Sequence, residues 1–198
     1  MVEPDRNIWL DRMFSHLQES ADLKRLFSQN SLSSVLAATD LIVGAFQNGG
    51  KVLLCGNGGS AADCQHMAAE FVSRLTKEFD RPGLPAIALT TDTSFLTAYA
   101  NDCGFEGVFE RQVCAIGKSG DVLIGISTSG NSTNVLRAVI AARKLGIKTI
   151  GLVGQGGILE TEVDCVIVVP SRNTQYIQEA MLSIEHILCD ITEKILFA

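Results

Sequence analysis

The chain has 198 residues, of which 46% are hydrophobic and 19% are charged, and its formal net charge is −6. This composition is typical of a compact α/β protein of one domain and excludes a disordered chain. The acidic balance and the lack of a Lys/Arg cluster argue against nucleic acid and membrane surfaces as partners, so an anionic ligand would be held by local backbone donors.

Location in the cell is indicated by the N-terminus and by the cysteines. Residues 1–6 are polar and lack the apolar core of a signal peptide, and no apolar run is long enough to cross a bilayer. The cysteines are Cys55, Cys64, Cys103, Cys114, Cys165 and Cys189. Because no C-x-x-C pair occurs, we expect reduced cysteines in the core of a cytoplasmic protein, without disulfides or a thiolate zinc site.

The hydrophobic pattern predicts two opening helices, followed by strands that alternate with helices. The opening helices cover residues 8–27 and 32–46, and the pair Gly49-Gly50 ends the second. The predicted strands cover residues 51–55, 86–89, 121–127, 148–153 and 163–169. The predicted later helices cover residues 60–74, 94–99, 108–115, 131–145 and 173–197.

This alternation implies a parallel sheet covered by helices on both faces. We therefore expect an α/β fold, a three-layer αβα sandwich with a five-stranded parallel sheet in flavodoxin-like order. We expect one domain over residues 1–198, in which residues 1–48 form N-terminal helices that pack on the core or on partner subunits. In this strand order the first and third strands are neighbours, and ligands bind beyond their carboxyl ends.

The loop after the first predicted strand, residues 56–60 with the sequence GNGGS, suits close approach to a ligand. We take Asn57, Gly58 and Gly59 as candidate substrate contacts. One alternative is a tight turn in which Ser60 caps the next helix.

A second alternative for the same loop is a dinucleotide fingerprint, since Gly56, Gly58 and Ala61 satisfy G-x-G-x-x-A. A dinucleotide site needs an acidic residue about twenty positions further on, at the end of the second strand. Asp92 comes too late in the chain to fill that role. An oxidoreductase is therefore the weakest of the functions considered.

The loop after the third predicted strand, residues 127–132 with the sequence STSGNS, brings several hydroxyls to a helix start. The hydroxyl side chains are Ser127, Thr128, Ser129 and Ser132. Hydroxyls and free backbone amides at a helix N-terminus are what a phosphate monoester needs. The loop lacks the Lys of a nucleotide-binding P-loop, so no nucleoside triphosphate is implied. The alternative is a helix N-cap with more hydroxyls than it needs.

The chain resembles the sugar isomerase (SIS) domain proteins, and within them the bacterial phosphoheptose isomerases. The motifs that carry the resemblance are C-G-N-G-G-S at 55–60, R-P-G-x-P-A-I-A at 81–88, N-D at 101–102, G-D-V-L-x-G-I-S-T-S-G-N-S at 120–132, I-Q-E at 177–179 and H-I-L at 186–188. The resemblance implies an isomerase that converts sedoheptulose 7-phosphate to D-glycero-D-manno-heptose 7-phosphate. It also implies substrate contacts at Asn101 and Asp102, and a homotetramer with sites near subunit interfaces.

His66 and Glu70 lie four positions apart on the predicted helix 60–74, so both side chains point from one face. Such a pair binds a metal ion, positions a carboxylate base, or makes an ordinary surface contact. The resemblance implies that both residues lie in the active site, that Glu70 is a catalytic acid/base, and that the site holds zinc.

Gln178 and His186 are eight positions apart on the last predicted helix, which is roughly 12 Å along its axis. One ion contacts both only if the side chains lean together or if different subunits supply them. A lone histidine on such a helix is also commonly structural. The resemblance implies that His186 is the second acid/base, that Gln178 contacts substrate or metal, and that one zinc per subunit is bound by His66, Glu70, Gln178 and His186.

An aldose–ketose isomerase moves one proton between neighbouring carbons and another between their oxygens, and Glu70 and His186 suit those two roles. Two residues depart from the isomerase pattern, since Gln175 stands where Asp is frequent and Met181 where a second His occurs. The alternative function is a non-catalytic SIS module that binds a phosphosugar or a replication-initiation partner. Relatives of that kind lack the helix glutamate or the final histidine. A third possibility is an isomerase of another phosphosugar.

Overall fold

The computed structural model describes residues 6–197 and contains one five-stranded sheet. The strands are β1 (Val52–Gly56), β2 (Ala86–Ala88), β3 (Val122–Ser127), β4 (Lys148–Gly154) and β5 (Cys165–Val169). The α-helices are α1 (Arg6–Asn30), α2 (Leu32–Gln47), α3 (Gly59–Val72), α4 (Thr93–Cys103), α5 (Val108–Ile116), α6 (Thr133–Lys144), α7 (Leu159–Glu162) and α8 (Thr174–Phe197). A short 3₁₀ turn, Phe105–Gly107, lies between α4 and α5.

The sheet is parallel throughout and has the strand order β2-β1-β3-β4-β5, which confirms the flavodoxin-like prediction. β1 and β3 are buried along their whole length because helices cover both faces of the sheet. One core cluster joins the sheet to α1, α2, α3 and α8, and a second joins its other face to α5 and α6. α3 and α6, which follow the neighbouring strands β1 and β3, therefore start together and lie on opposite faces.

The predicted helices and strands are all present, with ends that differ by a few residues. The sequence pattern did not predict α7, because four residues are too few to show a helical period. The expectation that all six cysteines are core residues is wrong for Cys103 and Cys114, which are exposed, and only partly right for Cys165. All six are free thiols, as expected.

The two opening helices differ in how they are buried. α2 packs on α8 and β5 through residues such as Ile42, which has no exposed surface. α1 contacts α8, but its buried residues are limited to Ser20, Leu23 and Phe27. The exposed large apolar side chains in its first half are Ile8, Trp9, Leu10, Met13, Phe14 and Leu17. Within residues 6–197, no helix is both long and apolar enough to cross a membrane.

Candidate active site

The loop between β3 and α6, hereafter the cradle (residues 127–132), brings its serine side chains close together. The Ser127 Oγ lies 3.0 Å from the Ser132 Oγ and 3.5 Å from the Ser129 Oγ. Ser132 is the N-cap residue of α6, yet its side chain makes no capping hydrogen bond. Its hydroxyl is therefore turned toward the other serines, which disagrees with the simple N-cap alternative. Thr128 lies in the same loop and is half-buried.

The loop before α7 contacts the backbone of the cradle and holds it in place. Gly130 has a φ of +64°, and a Cβ built there would lie 2.7 Å from the Cα of Gly157. The Gly130 carbonyl accepts from the Leu159 amide at 3.0 Å, and the Asn131 Oδ1 accepts from the Ile158 amide at 3.0 Å. Only glycine fits at position 130, for both conformation and space. These contacts hold the backbone of the cradle in one conformation.

The loop between β1 and α3 is joined to the start of α6 by a reciprocal amide pair. The Asn57 Nδ2 donates to the Asn134 Oδ1 at 2.9 Å, and the Asn134 Nδ2 donates to the Asn57 Oδ1 at 2.8 Å. The Asn134 Oδ1 also accepts from the Val135 amide at 2.9 Å. The sequence did not indicate a role for Asn134, because no local pattern reports its contact with Asn57, which is 77 residues away.

A cavity of about 220 Å³ opens between the two loops. It is lined by Asn57, Phe105, Glu106, Ser132, Thr133 and Asn134. Two predicted substrate contacts, Asn57 and Ser132, therefore lie at one cavity beyond the carboxyl ends of β1 and β3. This is the place that the strand order predicts for a ligand.

The predicted contacts Gly58 and Gly59 lie at the start of α3. Gly58 has a φ of 56° and is the N-cap residue, so the alternative in which Ser60 caps the helix is wrong. A Cβ built on Gly59 would lie 2.1 Å from the Gln178 Nε2. The glycine is needed because the Gln178 side chain of α8 covers the first turn of α3.

His66 and His186 meet in the same chain, although 120 residues separate them. Their Nε2 atoms lie 2.9 Å apart, which requires that one nitrogen carries the proton and the other accepts it. The His66 Nε2 lies 3.7 Å from the Glu70 Oε1, and the Glu70 side chain is 19% exposed. The predicted acid/base residues thus lie on facing helices, with the His66 imidazole between them.

α3 and α8 run side by side in the same direction. Gln178 lies against Gly59 near the start of both helices, and His186 lies against His66 about two turns later. The axial distance between Gln178 and His186 is therefore similar to that between Gly59 and His66 on α3. Both Gln178 and His186 contact α3 of their own chain, but at different turns of that helix.

The predicted zinc site is only partly assembled in this geometry. Two imidazoles and a carboxylate are donor types that suit zinc. Two nitrogens on one zinc lie about 3.3 Å apart for bonds of about 2.0–2.1 Å, close to the 2.9 Å between the His66 and His186 nitrogens. Across residues 6–197, however, no three His, Cys, Asp or Glu side chains are placed to hold a metal ion. Gln178, the fourth predicted ligand, lies at Gly59.

Two acidic residues that the sequence did not single out, Asp63 and Glu185, lie on the same two helices as the histidines. Glu185 has no exposed surface, and neither of its carboxylate oxygens has a hydrogen-bond partner. Burial raises the pKa of Glu185 to about 8, and the negative charge of Asp63 on α3 adds to this rise. Burial also raises the pKa of Asp63, against the opposing charge of His66.

The remaining predicted contacts, Asn101 and Asp102, lie on α4. The Asn101 Nδ2 donates to the Asp102 Oδ1 at 2.8 Å, and both residues are exposed. Asp102 lines a different cavity of about 570 Å³, with Tyr99 and Arg111. Neither residue lines the cavity between the two loops.

Comparison with known proteins places the chain in a family. The model of the SIS domain matches residues 15–154. A phosphoheptose isomerase of Roseiflexus sp. (strain RS-1) is 52% identical over 186 residues, which are 93% of each chain. The phosphoheptose isomerase of Neisseria gonorrhoeae superposes with a TM-score of 0.88 at 42% identity, covering 94% of this chain and 99% of that one. A phosphoheptose isomerase from Francisella tularensis also has a TM-score of 0.88, at 40% identity over 93% and 98% of the two chains. The chain therefore belongs to the SIS domain family and, within it, to the phosphoheptose isomerases.

Proposed function

We propose that this aldose–ketose isomerase converts sedoheptulose 7-phosphate to D-glycero-D-manno-heptose 7-phosphate, an early step in making heptose precursors. The observation that carries the proposal is the meeting of His66, Glu70 and His186 on the facing helices α3 and α8. The first loop, from which α3 starts, joins this group to the cavity beside the cradle.

In the proposed mechanism the cradle holds the phosphate and leaves the reaction to the other end of the sugar. The hydroxyls of Ser127, Ser129 and Ser132 and the free amides at the start of α6 donate to the phosphate oxygens. The chain has no basic cluster there, so affinity comes from these donors and from the helix N-terminus. A fixed phosphate limits which carbons reach α3 and α8.

The Glu70 carboxylate takes the proton from the carbon next to the carbonyl, which gives an enediol. The same carboxyl returns a proton to the neighbouring carbon, so the proton count balances. His186 moves the other proton, from the hydroxyl oxygen to the carbonyl oxygen. His66, hydrogen-bonded to His186 and near Glu70, sets which His186 nitrogen carries the proton.

Zinc is proposed as the cofactor, one ion per subunit. His66 and His186 are the best-placed donors, with Glu70 beside them and Gln178 as the fourth predicted ligand. A bound zinc supplies polarisation of the substrate carbonyl. Metal content of the purified protein tests the proposal: about one zinc per chain supports it, and a His66→Ala variant with unchanged zinc content would contradict the assigned ligands.

Self-association, as a homotetramer, is proposed from the surface of α1. Side chains such as Trp9 and Phe14 are 51% and 65% exposed, and water is an unfavourable neighbour for an apolar face of this size. A second chain would cover this face, and the family resemblance predicts four subunits with sites near their interfaces. Mass measurement in solution tests this, and a monomer would contradict it. A cytoplasmic location is proposed from the six free thiols.

A panel of phosphorylated ketoses with product identification tests the function. We expect turnover of sedoheptulose 7-phosphate and little turnover of five- and six-carbon ketose phosphates. Glu70→Gln keeps the shape and removes the base, so it should abolish turnover with the fold intact. Substantial residual turnover in this variant would contradict the assigned base, and preference for a shorter sugar would contradict the substrate. The non-catalytic alternative is not favoured, because it has no use for Glu70 and His186 on facing helices with His66 between them.

A further inference from the structure

Arg81, the first residue of the R-P-G motif, is a buried cation outside the proposed mechanism. Its side chain has no exposed surface, and that of its partner Glu193 is 4% exposed. The Arg81 Nη2 donates to the Glu193 Oε1 at 2.6 Å. Because desolvating two charges is costly, a buried ion pair is weak evidence for stability by itself. Stability alone therefore does not explain why this ion pair is buried beside α3.

The arginine closes the carboxyl end of α3, the helix that carries Glu70. Its Nη2 donates to the backbone carbonyl of Glu70 at 2.8 Å, and its Nη1 donates to that of Phe71 at 2.7 Å. The last four carbonyls of a helix lack partners within the helix, and a cation there also interacts favourably with the helix dipole. Arg81 thus holds the backbone of Glu70 directly.

Glu193 connects this helix end to α8. It lies seven residues after His186, and two helical turns later on the same face. Its Oε1 accepts from Arg81 and also from the Leu75 amide at 3.1 Å, just beyond the end of α3. The ion pair therefore joins the turn that carries Glu70 to the face of α8 that carries His186.

We propose that Arg81 and Glu193 are positioning residues for the isomerisation, which set the distance between Glu70 and His186. The inference rests on the proposed function, in which these two side chains transfer the protons. The contact between Gln178 and Gly59 fixes the two helices at one end, and the ion pair fixes them at the other. Without the pair, the carbonyls of Glu70 and Phe71 lose the guanidinium as a donor, although the Phe71 carbonyl keeps the Leu84 amide at 2.9 Å. Glu70 then moves relative to His186. A displacement of about 1 Å is enough to slow a reaction about 10²-fold.

The cradle provides a way to separate positioning from general stability. It lies on the loop between β3 and α6, and the ion pair makes no hydrogen bond to it. Loss of the pair should therefore lower kcat while KM for the phosphorylated sugar stays nearly constant. A merely structural pair would lower the melting temperature and leave kcat per folded molecule unchanged.

The test uses Arg81→Lys, Glu193→Ala and Glu193→Gln in the full-length protein. We expect kcat to fall about 10- to 100-fold in the first two, with KM within about threefold of the parent. Glu193→Gln keeps an oxygen that accepts from Arg81 and Leu75, so it should recover part of the lost kcat. Because this variant keeps the side-chain shape, it should fold even where the other two do not.

Asp121→Asn is the matched control, because it also removes a buried carboxylate charge. Asp121 has no exposed surface and accepts from the Lys51 and Lys118 amides at 3.0 and 2.8 Å, before the start of β3. It should lower the melting temperature and leave kcat unchanged. Unchanged kcat in the folded Arg81 and Glu193 variants would overturn the inference. If Glu70→Gln is inactive and these variants equal the parent, only the positioning role fails; if Glu70→Gln is active, the proposed base fails.

Discussion

The cradle and the facing surfaces of α3 and α8, the two halves of the proposed site, are built in different ways. The cradle is a run of six residues whose side chains contact one another, such as Ser127 and Ser132 at 3.0 Å, and none of them is ionisable near neutral pH. The helix pair joins residues 120 positions apart and holds several acids and imidazoles, some fully buried. Because the halves share no side chain, affinity for phosphate and rate of proton transfer should respond to different substitutions.

After the loss of Glu70, the largest effect should follow from removing the imidazole of His186. His186→Gln should lower kcat by about 10²- to 10⁴-fold, the usual contribution of a general acid or base, with little change in KM. Steady-state kinetics with sedoheptulose 7-phosphate measures both values. His16→Gln is a control, since it removes another hydrogen-bonded imidazole, which contacts Glu179 at 2.8 Å but lies on α1. Equal losses in the two variants would contradict a special role for His186.

A smaller effect should follow from removing cradle hydroxyls. Hydrogen bonds to charged groups contribute about 1.5–3 kcal/mol each, so the double variant Ser129→Ala, Ser132→Ala should raise KM by at least about 100-fold. kcat should stay near that of the parent, because neither serine lies on α3 or α8. Affinity for a non-phosphorylated ketose should not change. A fall in kcat without a rise in KM would reverse the assigned roles of the two halves.

The link between the halves can be broken at Asn134. Asn134→Ala leaves the Asn57 amide and the buried Val135 amide without their partner. We expect a loss of about 1–3 kcal/mol in the free energy of unfolding, measured by urea denaturation, and a rise of severalfold in KM. Gln112→Ala is the comparison, since it also removes an amide side chain, which donates to the Leu89 and Val108 carbonyls, but belongs to neither loop. A KM unchanged by Asn134→Ala would show that the two loops act independently.

The sequence was most informative where structure is local. The cradle was readable because its hydroxyls are consecutive and follow an apolar strand, and the strand order followed from the alternation of elements. The contact between His66 and His186 could be inferred only from resemblance, because it depends on how α3 and α8 pack. Asn134, Arg81 and Glu193 were missed as partners for the same reason: each contact closes a long segment of chain, which no local pattern reports.

The smallest effect on catalysis should come from Glu185, whose pH dependence of stability tests the buried side of the helix pair. Its pKa is raised from 4.5 to about 8 in the folded state, so between these values the unfolded chain releases a proton that the folded chain keeps. Stability from this group is complete below about pH 4.5 and falls as the pH rises toward 8. Glu185→Gln cannot titrate, and its melting temperature relative to the parent should therefore rise steadily from pH 5 to pH 8.

The matched control for this pH dependence is Glu162→Gln, an exposed carboxylate that pairs with Arg143 at 3.4 Å. Its melting temperature should differ from the parent by a small and nearly constant amount over the same range, because a solvated ion pair contributes little. A difference for Glu185→Gln that stays constant or shrinks with rising pH would mean that Glu185 is charged in the folded protein. A cation beside Asp63 and Glu185 would then be required, since a buried carboxylate is stable only when its charge is paired, and the zinc proposed at His66 and His186 would supply it.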